Sequence, residues 1–304
     1  MKGLVLKSTG SWYLLLGEDN KRYQARIRGK LRLEGIKETN PVAVGDYVMF
    51  DIEGEEGIIS DIVDRENYIA RQSVKKTGHS HILAANVDQA LLVVTLAFPR
   101  TSLGFIDRFI VSAESFRIPQ VIVFNKSDLL TEEQQAEAED LMKLYQRLDI
   151  RCLQTSATKA DQPELEKLLQ HKKTLISGHS GVGKSTLINQ LSKNIQQKTS
   201  EISDFSAKGT HTTTFAEMFQ LNEHTFIIDT PGIKELGLVN MEPEELSDYF
   251  VEMRALRSSC KFGGRCLHIN EPKCAVREAV TNGAIAQSRY DSYLSMVRGD
   301  DNRK

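Results

Sequence analysis

The spacing of apolar residues changes character along the chain. Near the start it alternates: Tyr23, Ala25 and Ile27 are separated by Gln24, Arg26 and Arg28, the two-residue period of a strand with one covered and one wet face. Val42 to Ile52 predicts a second such strand, and Gly54-Glu-Glu-Gly57 the turn into Ile58 to Val63. Several short strands so close together predict a barrel of the oligonucleotide-binding type, roughly five strands. From Asn86 onward, apolar blocks alternate with helical stripes: strand Val87 to Ala97, helix Phe105 to Phe116, strand Pro119 to Phe124, helix Glu132 to Leu148, strand Arg151 to Gln154 and strand Lys173 to Ser177. Leu187, Ile188 and Leu191 then mark a helix, and Phe215 to Leu221 with Thr225 to Ile228 a hairpin. That alternation signals an α/β unit on a mostly parallel sheet. Helices Pro243 to Leu256, Ala275 to Val280 and Ala284 to Val297 complete the chain. The expected division is a barrel over residues 1–68, an α/β domain over 69–238 and a helical domain over 239–304.

Where the strand Lys173 to Ser177 stops, Gly178-His179-Ser180-Gly181-Val182-Gly183-Lys184-Ser185-Thr186 follows and leads into a helix. Glycines at this spacing let backbone N–H groups turn inward, and the helix start adds partial positive charge, which together cradle phosphate. Lys184 is placed to reach the β- and γ-phosphates and Ser185 to ligate Mg²⁺. The strand ending at Phe124 runs into Asn125-Lys126-Ser127-Asp128. A carboxylate at Asp128 can accept from N1–H and the 2-amino group of guanine, a donor pair adenine lacks; Lys126 can lie along the base and Asn125 brace the loop. After the next strand, a backbone N–H in Thr155-Ser156-Ala157 can meet the guanine O6. Downstream, Gly209-Thr-His211-Thr-Thr213-Thr precedes the hairpin, which ends in Asp229-Thr-Pro-Gly232. Asp229 would hold Mg²⁺, Thr213 close its shell, and the Gly232 N–H sense the γ-phosphate.

A formal net charge of −2 shows no global preference for a polyanion. The first 37 residues differ: Lys2, Lys7, Lys21, Arg22, Arg26, Arg28, Lys30, Arg32 and Lys37 face only Glu18, Asp19 and Glu34, an excess suited to a phosphate backbone or to an ordinary solvated face. Trp12, Tyr13 and Tyr23 are either base-stacking or core aromatics. Of four cysteines, Cys260, Cys266 and Cys274 crowd together with His268, three sulfurs and an imidazole that can close a tetrahedral zinc site. Cys152 lies in a strand and reads as an inert buried thiol. With no run long enough to span a bilayer, the chain is expected to be a cytoplasmic monomer without a membrane partner.

The order of these motifs is itself informative. Guanine-nucleotide switch proteins usually place the phosphate loop first; here N-K-S-D and T-S-A precede it, with H-T-T-T and D-T-P-G after it. A basic barrel, this permuted order and the C-x5-C-x-H-x5-C lobe together resemble the small-ribosomal-subunit-dependent GTPase A family over almost the whole chain. The resemblance implies a circularly permuted P-loop GTPase between an oligonucleotide-binding barrel and a zinc domain. It also implies a role in late maturation of the small ribosomal subunit, rRNA contacts through barrel and zinc lobe, and GTP hydrolysis stimulated by docking. Ile233 stands where many GTPases carry a water-orienting glutamine, so His211 is the candidate replacement. A GTP-dependent switch for another RNA partner, and an RNA-binding scaffold with a weakly hydrolysing site, are the alternatives.

Overall fold

Strand β1 (Lys2–Ser8) is apolar on both faces because both are covered. Val5 joins the interior of the barrel with Tyr13, Leu15, Ala25, Val48, Phe50 and Ile59. Leu4 and Leu6 point the other way and belong to the core of the neighbouring domain. The structure is a computed structural model that describes residues 1–28, 41–72, 80–156, 162–199, 216–229 and 241–299. After β1 come β2 (Tyr13–Gly17), β3 (Arg22–Ile27), β4 (Tyr47–Glu53), β5 (Glu56–Ile62), and a separate hairpin of β6 (Tyr68–Gln72) and β7 (Ser80–Ala85). The middle of the chain runs β8 (Gln89–Val94), α1 (Leu103–Ser115), β9 (Gln120–Phe124), α2 (Glu132–Gln146), β10 (Arg151–Gln154), α3 (Pro163–Leu169), β11 (Lys173–Ser177), α4 (Lys184–Thr199), β12 (Glu217–Asn222) and β13 (Thr225–Asp229). The last part holds α5 (Val251–Arg254), α6 (Ala275–Thr281) and α7 (Gln287–Arg298).

The barrel closes in the order β1-β2-β3-β5-β4 with β4 returning to β1, and only its β3–β5 pair is parallel. Glu53 and Glu56, at the β4–β5 turn, reach Arg28 and Arg26, so part of the basic excess read in the first 37 residues is neutralised on the barrel itself. Tyr13 is core, Tyr23 lies against Phe50 with ring centroids 5.3 Å apart, and Trp12 stays exposed. The expected strand from Val42 begins only at Tyr47. Before it, Gly45 turns the chain at φ 90°, and the buried Asp46 carboxylate takes Ala43 N at 2.8 Å and Arg65 Nε and Nη2 at 2.7 and 2.8 Å.

The central sheet has the order β10-β9-β8-β11-β13-β12, parallel except for β12. Its inner strands β8 and β9 carry apolar runs because helices cover both faces. Leu92 and Val94 share a core with Phe105, Ile106 and Phe109 of α1 and Leu141 of α2. Leu91 and Val93 share the opposite one with Leu165 of α3 and Leu187, Ile188 and Leu191 of α4. Lys7 of β1 pairs with Glu217 of β12, which makes barrel and central sheet one continuous surface. No helix among the described residues is long and apolar enough to cross a membrane.

The expected helix Pro243 to Leu256 is broken into a 3-10 turn, Leu246–Tyr249, and the single turn α5. Between them Phe250 is extended (φ −96°, ψ 101°), which sets its ring edge-on to Tyr293 and 4.5 Å beneath the Arg289 guanidinium. The last helix starts at Gln287 rather than Ala284, because Ala286 is extended. Arg289 is 1% exposed, and its fork donates to Asp107 Oδ1 of α1 (2.7 Å) and to Glu252 Oε1 and Oε2 of α5 (2.7 and 3.2 Å). Tyr145 of α2 donates to the same Asp107 oxygen at 3.1 Å. Burial alone would favour a neutral guanidinium; the two carboxylates overcome it and hold the Arg289 pKa above its usual value. Removing this cation leaves two buried carboxylates without it, so Arg289→Ala should cost about 3–5 kcal/mol, read from urea unfolding by circular dichroism. Arg289→Lys should restore only part, since an ammonium cannot replace the fork.

Candidate functional site

Strand order reverses between β8 and β11: the chain winds outward through β9 and β10, then crosses back to β11 and on to β13. Loops leaving the carboxyl ends of strands at such a reversal diverge and open a crevice. N-K-S-D, Thr155-Ser156, the phosphate-type loop and Asp229 leave at this edge. Register pairs Val94 with Phe124, Phe124 with Gln154, Leu92 with Ser177 and Ile176 with Asp229, so the strands end at similar heights.

The phosphate-type loop turns through three positive φ values, 142° at Gly178, 83° at Gly181 and 95° at Gly183. A side chain at Gly178 would strike the Val93 carbonyl, and one at Gly183 the Asn125 amide. Val182 is fully buried and anchors the loop, while Ser180 and Gly181 are exposed. His179 lies against Phe105 of α1 with ring centroids 3.9 Å apart. Lys184 Nζ curls back to the carbonyls of Gly178 (2.6 Å) and His179 (2.7 Å). Ser185 and Thr186 are exposed in the first turn of α4.

Asn125 binds the separate motifs to one another. It is 1% exposed; its Nδ2 donates to Val182 O at 2.8 Å, and its Oδ1 accepts from Thr155 Oγ1 at 3.0 Å. Ser127 N donates to Thr155 O at 3.1 Å, tying the same two loops through the backbone. Lys126 has left-handed backbone (φ 62°), and its Nζ donates to Phe98 O at 3.0 Å. Asp128 is exposed in the turn Ser127–Leu129. Ser156 is buried, and its carbonyl accepts from Gln162 Nε2 at 2.6 Å. Asp229 ends β13 half-buried: burial pushes its pKa up, the Lys184 ammonium pulls it down, and Glu217 pushes it up again. Such a carboxylate, at the same sheet edge as the exposed Ser185, suits a divalent cation. Ala157, His211, Thr213 and Gly232, with Ile233, lie outside the described residues.

Gln162, Phe98 and Glu217 carry no site signal in the sequence, and Thr155 enters there only for its backbone N–H, not for the hydroxyl that meets Asn125. Gln162 acts through the nearby Ser156 carbonyl, and Phe98, 90% exposed, stands out only as an apolar residue with no cover.

The second site is in the C-terminal region. Ligand atoms of Cys260, Cys266, His268 and Cys274 all lie within 4.8 Å of one another, and all four residues are buried. His268 Nδ1 is 3.6 Å from Cys260 Sγ and 3.3 Å from Cys274 Sγ, and those two sulfurs are 3.9 Å apart. Ligands at ordinary zinc bond lengths stand about 3.6–3.8 Å apart at the corners of a tetrahedron, so the group fits that ion. Burial pushes the Cys266 thiol up to about 12, and the neighbouring cysteines add to the rise. A thiolate therefore needs a cation here. Glu271 shapes the loop by accepting from the amides of Leu267, Ile269 and Asn270 at 2.9, 2.7 and 3.0 Å, and Tyr293 and Tyr290 donate to the carbonyls of Leu267 (2.7 Å) and His268 (2.5 Å).

Comparison with known proteins agrees with the fold. Residues 62–239 match the family model described as RsgA GTPase, and residues 2–59 the RsgA N-terminal domain. A protein of Cytophaga hutchinsonii called small ribosomal subunit biogenesis GTPase RsgA is 52% identical over 100% of this chain and 100% of its own. Another so called, from Christiangramia forsetii, is 48% identical over 99% of this chain and 97% of its own. Among solved structures, YjeQ from Thermotoga maritima superposes with a TM-score of 0.79 at 33% identity, covering 100% of this chain and 99% of that one. YloQ, described as a circularly permuted GTPase, gives 0.74 at 30% identity, covering 100% and 96%. With motif order, sheet order and full-length similarity in agreement, the chain belongs to the RsgA GTPase family.

Proposed function

We propose that this GTPase binds Mg²⁺·GTP in the crevice between β8 and β11 and works on the small ribosomal subunit late in its maturation, with docking accelerating hydrolysis. The Asn125–Val182 hydrogen bond supports the nucleotide part of this reading, because it sets the N-K-S-D loop against the phosphate-type loop, within reach of one ligand. The ribosomal role is supported by the relatives' name, small ribosomal subunit biogenesis GTPase.

Backbone N–H groups from Gly178 to Thr186 surround the β-phosphate, and Lys184 exchanges its two carbonyl contacts for phosphate oxygens. Asp128 accepts from the guanine N1–H and 2-amino group, the Lys126 stem lies along the base, and the Ser156–Ala157 backbone donates to O6. Mg²⁺, when bound with the nucleotide, is held by Ser185, Asp229 and Thr213 and offsets phosphate charge. The Gly232 N–H senses the γ-phosphate, and His211 orients the attacking water in place of the glutamine that Ile233 replaces. Cys260, Cys266, His268 and Cys274 hold one structural Zn²⁺. We assign the barrel to residues 1–68, the GTPase domain to 69–238 and the zinc domain to 239–304, acting as a cytoplasmic monomer. Exposed Trp12 on the barrel, and exposed Phe262 with Lys261 Nζ 5.3 Å from its ring on the zinc lobe, support rRNA contacts through both of these domains.

Single-turnover GTP hydrolysis with and without purified small subunits tests the ribosomal role. Stimulation by the small subunit is expected, and equal stimulation by large subunits or free RNA overturns it. In the same assay Lys184→Ala should lose roughly a hundredfold or more of turnover, and His211→Ala should lose the stimulation while still binding GTP. Asp128→Asn should weaken GTP binding by about tenfold to a hundredfold and favour xanthosine triphosphate, whose 2-oxo group accepts from the new amide; competition binding measures both. Stripping the metal with a chelator, or Cys266→Ser, should release one zinc per chain and lower the melting temperature, as dye-based zinc release and thermal unfolding will show.

A further inference from the structure

Glu217 opens β12, is 8% exposed and stands directly across from Asp229 on β13. Cross-strand partners leave the same face of a sheet with Cβ atoms about 5 Å apart, so two carboxylates lie side by side at the strand edge that carries the nucleotide motifs. On its other flank Glu217 is registered with Lys7 of β1, whose Nζ is 3.3 Å from Glu217 Oε1. The Lys184 ammonium lies close enough to Asp229 to act on its carboxyl. Charges therefore run plus, minus, minus, plus from Lys7 through Glu217 and Asp229 to Lys184, across three strands and the start of α4.

The two lysines are not equivalent. Lys184 belongs to the phosphate loop and is drawn to phosphate once nucleotide enters. Asp229 then keeps an acidic neighbour whose ion-pair partner belongs to a different domain. Adjacent carboxylates in a half-covered setting repel one another, and a shared divalent cation relieves that repulsion.

We propose that Glu217 is a positioning residue for the Mg²⁺ bound with nucleotide: its charge strengthens the hold of the Asp229 site on the cation, and Lys7 of the barrel sets how much of that charge the cation feels. The inference rests on Asp229 being a Mg²⁺ residue. Glu217 acts through the field at Asp229, while Lys7 partly cancels it. Substituting the two members of the pair must then move Mg²⁺ affinity in opposite directions. Loosening of the seam between barrel and sheet would instead move both the same way.

The test uses the full chain and fluorescence of N-methylanthraniloyl-GDP, titrated with Mg²⁺ at constant ionic strength. Glu217→Gln should raise the half-saturating Mg²⁺ concentration about threefold to tenfold, and Lys7→Gln should lower it by a similar factor. In excess EDTA, Glu217→Gln should bind the fluorescent GDP as well as the unchanged chain or better, because a negative charge near the phosphates has gone. Glu217→Asp should recover most of the Mg²⁺ dependence. Shifts in one direction for both variants, or none for either, overturn the inference while leaving the nucleotide site standing. Asp229→Asn separates the two levels: if Mg²⁺ dependence survives it, both the assignment of Asp229 and the inference fall.

Discussion

One amide side chain holds the nucleotide crevice in shape. Asn125 is bonded through both ends, to the carbonyl of Val182 in the phosphate loop and to the hydroxyl of Thr155 in the loop after β10. Neither partner has water as an alternative, for Val182 and Thr155 are as deeply buried as Asn125 itself. Leaving such a donor or acceptor unmatched costs about 1–3 kcal/mol each, so the three loops are fixed as a set rather than singly. The same contact explains Gly183: its φ of 95° and its closeness to the Asn125 amide leave no room for a side chain. The N-K-S-D loop and the phosphate-type loop are thus held at a set separation by contacts within the chain.

Helix α1 extends that rigidity toward the C-terminal lobe. Phe105, near its start, lies on His179 of the phosphate loop; Asp107 receives the Arg289 fork; and Val111 belongs to the apolar core of the lobe. A buried ion pair adds little net stability against an apolar equivalent. Its geometric demand is strict, however, since a guanidinium spanning two carboxylates accepts only one orientation of α7 against α1 and α5. The lobe is therefore keyed to the domain that carries the nucleotide motifs.

The parallel strands are legible in the sequence because most carry an apolar run, as Leu91 to Val94 and Val121 to Phe124 do; Lys173–Ser177 and Arg151–Gln154 are placed to the residue. The cluster of Cys260, Cys266, His268 and Cys274 is legible because its members lie close together along the chain. What escapes depends on distant partners. Val42 to Ile52 has strand-like composition, yet Asp46 and Gly45 give its first half to a turn clasped by Arg65, which lies in a later segment. Pro243 to Leu256 has helical spacing, yet Phe250 leaves the helix to meet Tyr293 and Arg289. Asn125 reads as a brace from its motif, whereas nothing local marks the Thr155 hydroxyl as the group it is bonded to. Glu217 is silent for the same reason, its meaning lying on two neighbouring strands.

The double-sided burial of β1 has a consequence for how the chain can be divided. With Leu4 and Leu6 withdrawn, the core they share with Met218, Phe226 and Ile228 would lose its lid, and β12 would become an open sheet margin with unpaired backbone groups. A fragment trimmed of its first sixty or so residues would retain every nucleotide motif and yet present an adhesive flank, prone to self-association. The amino-terminal segment thus covers a flank of the domain it precedes.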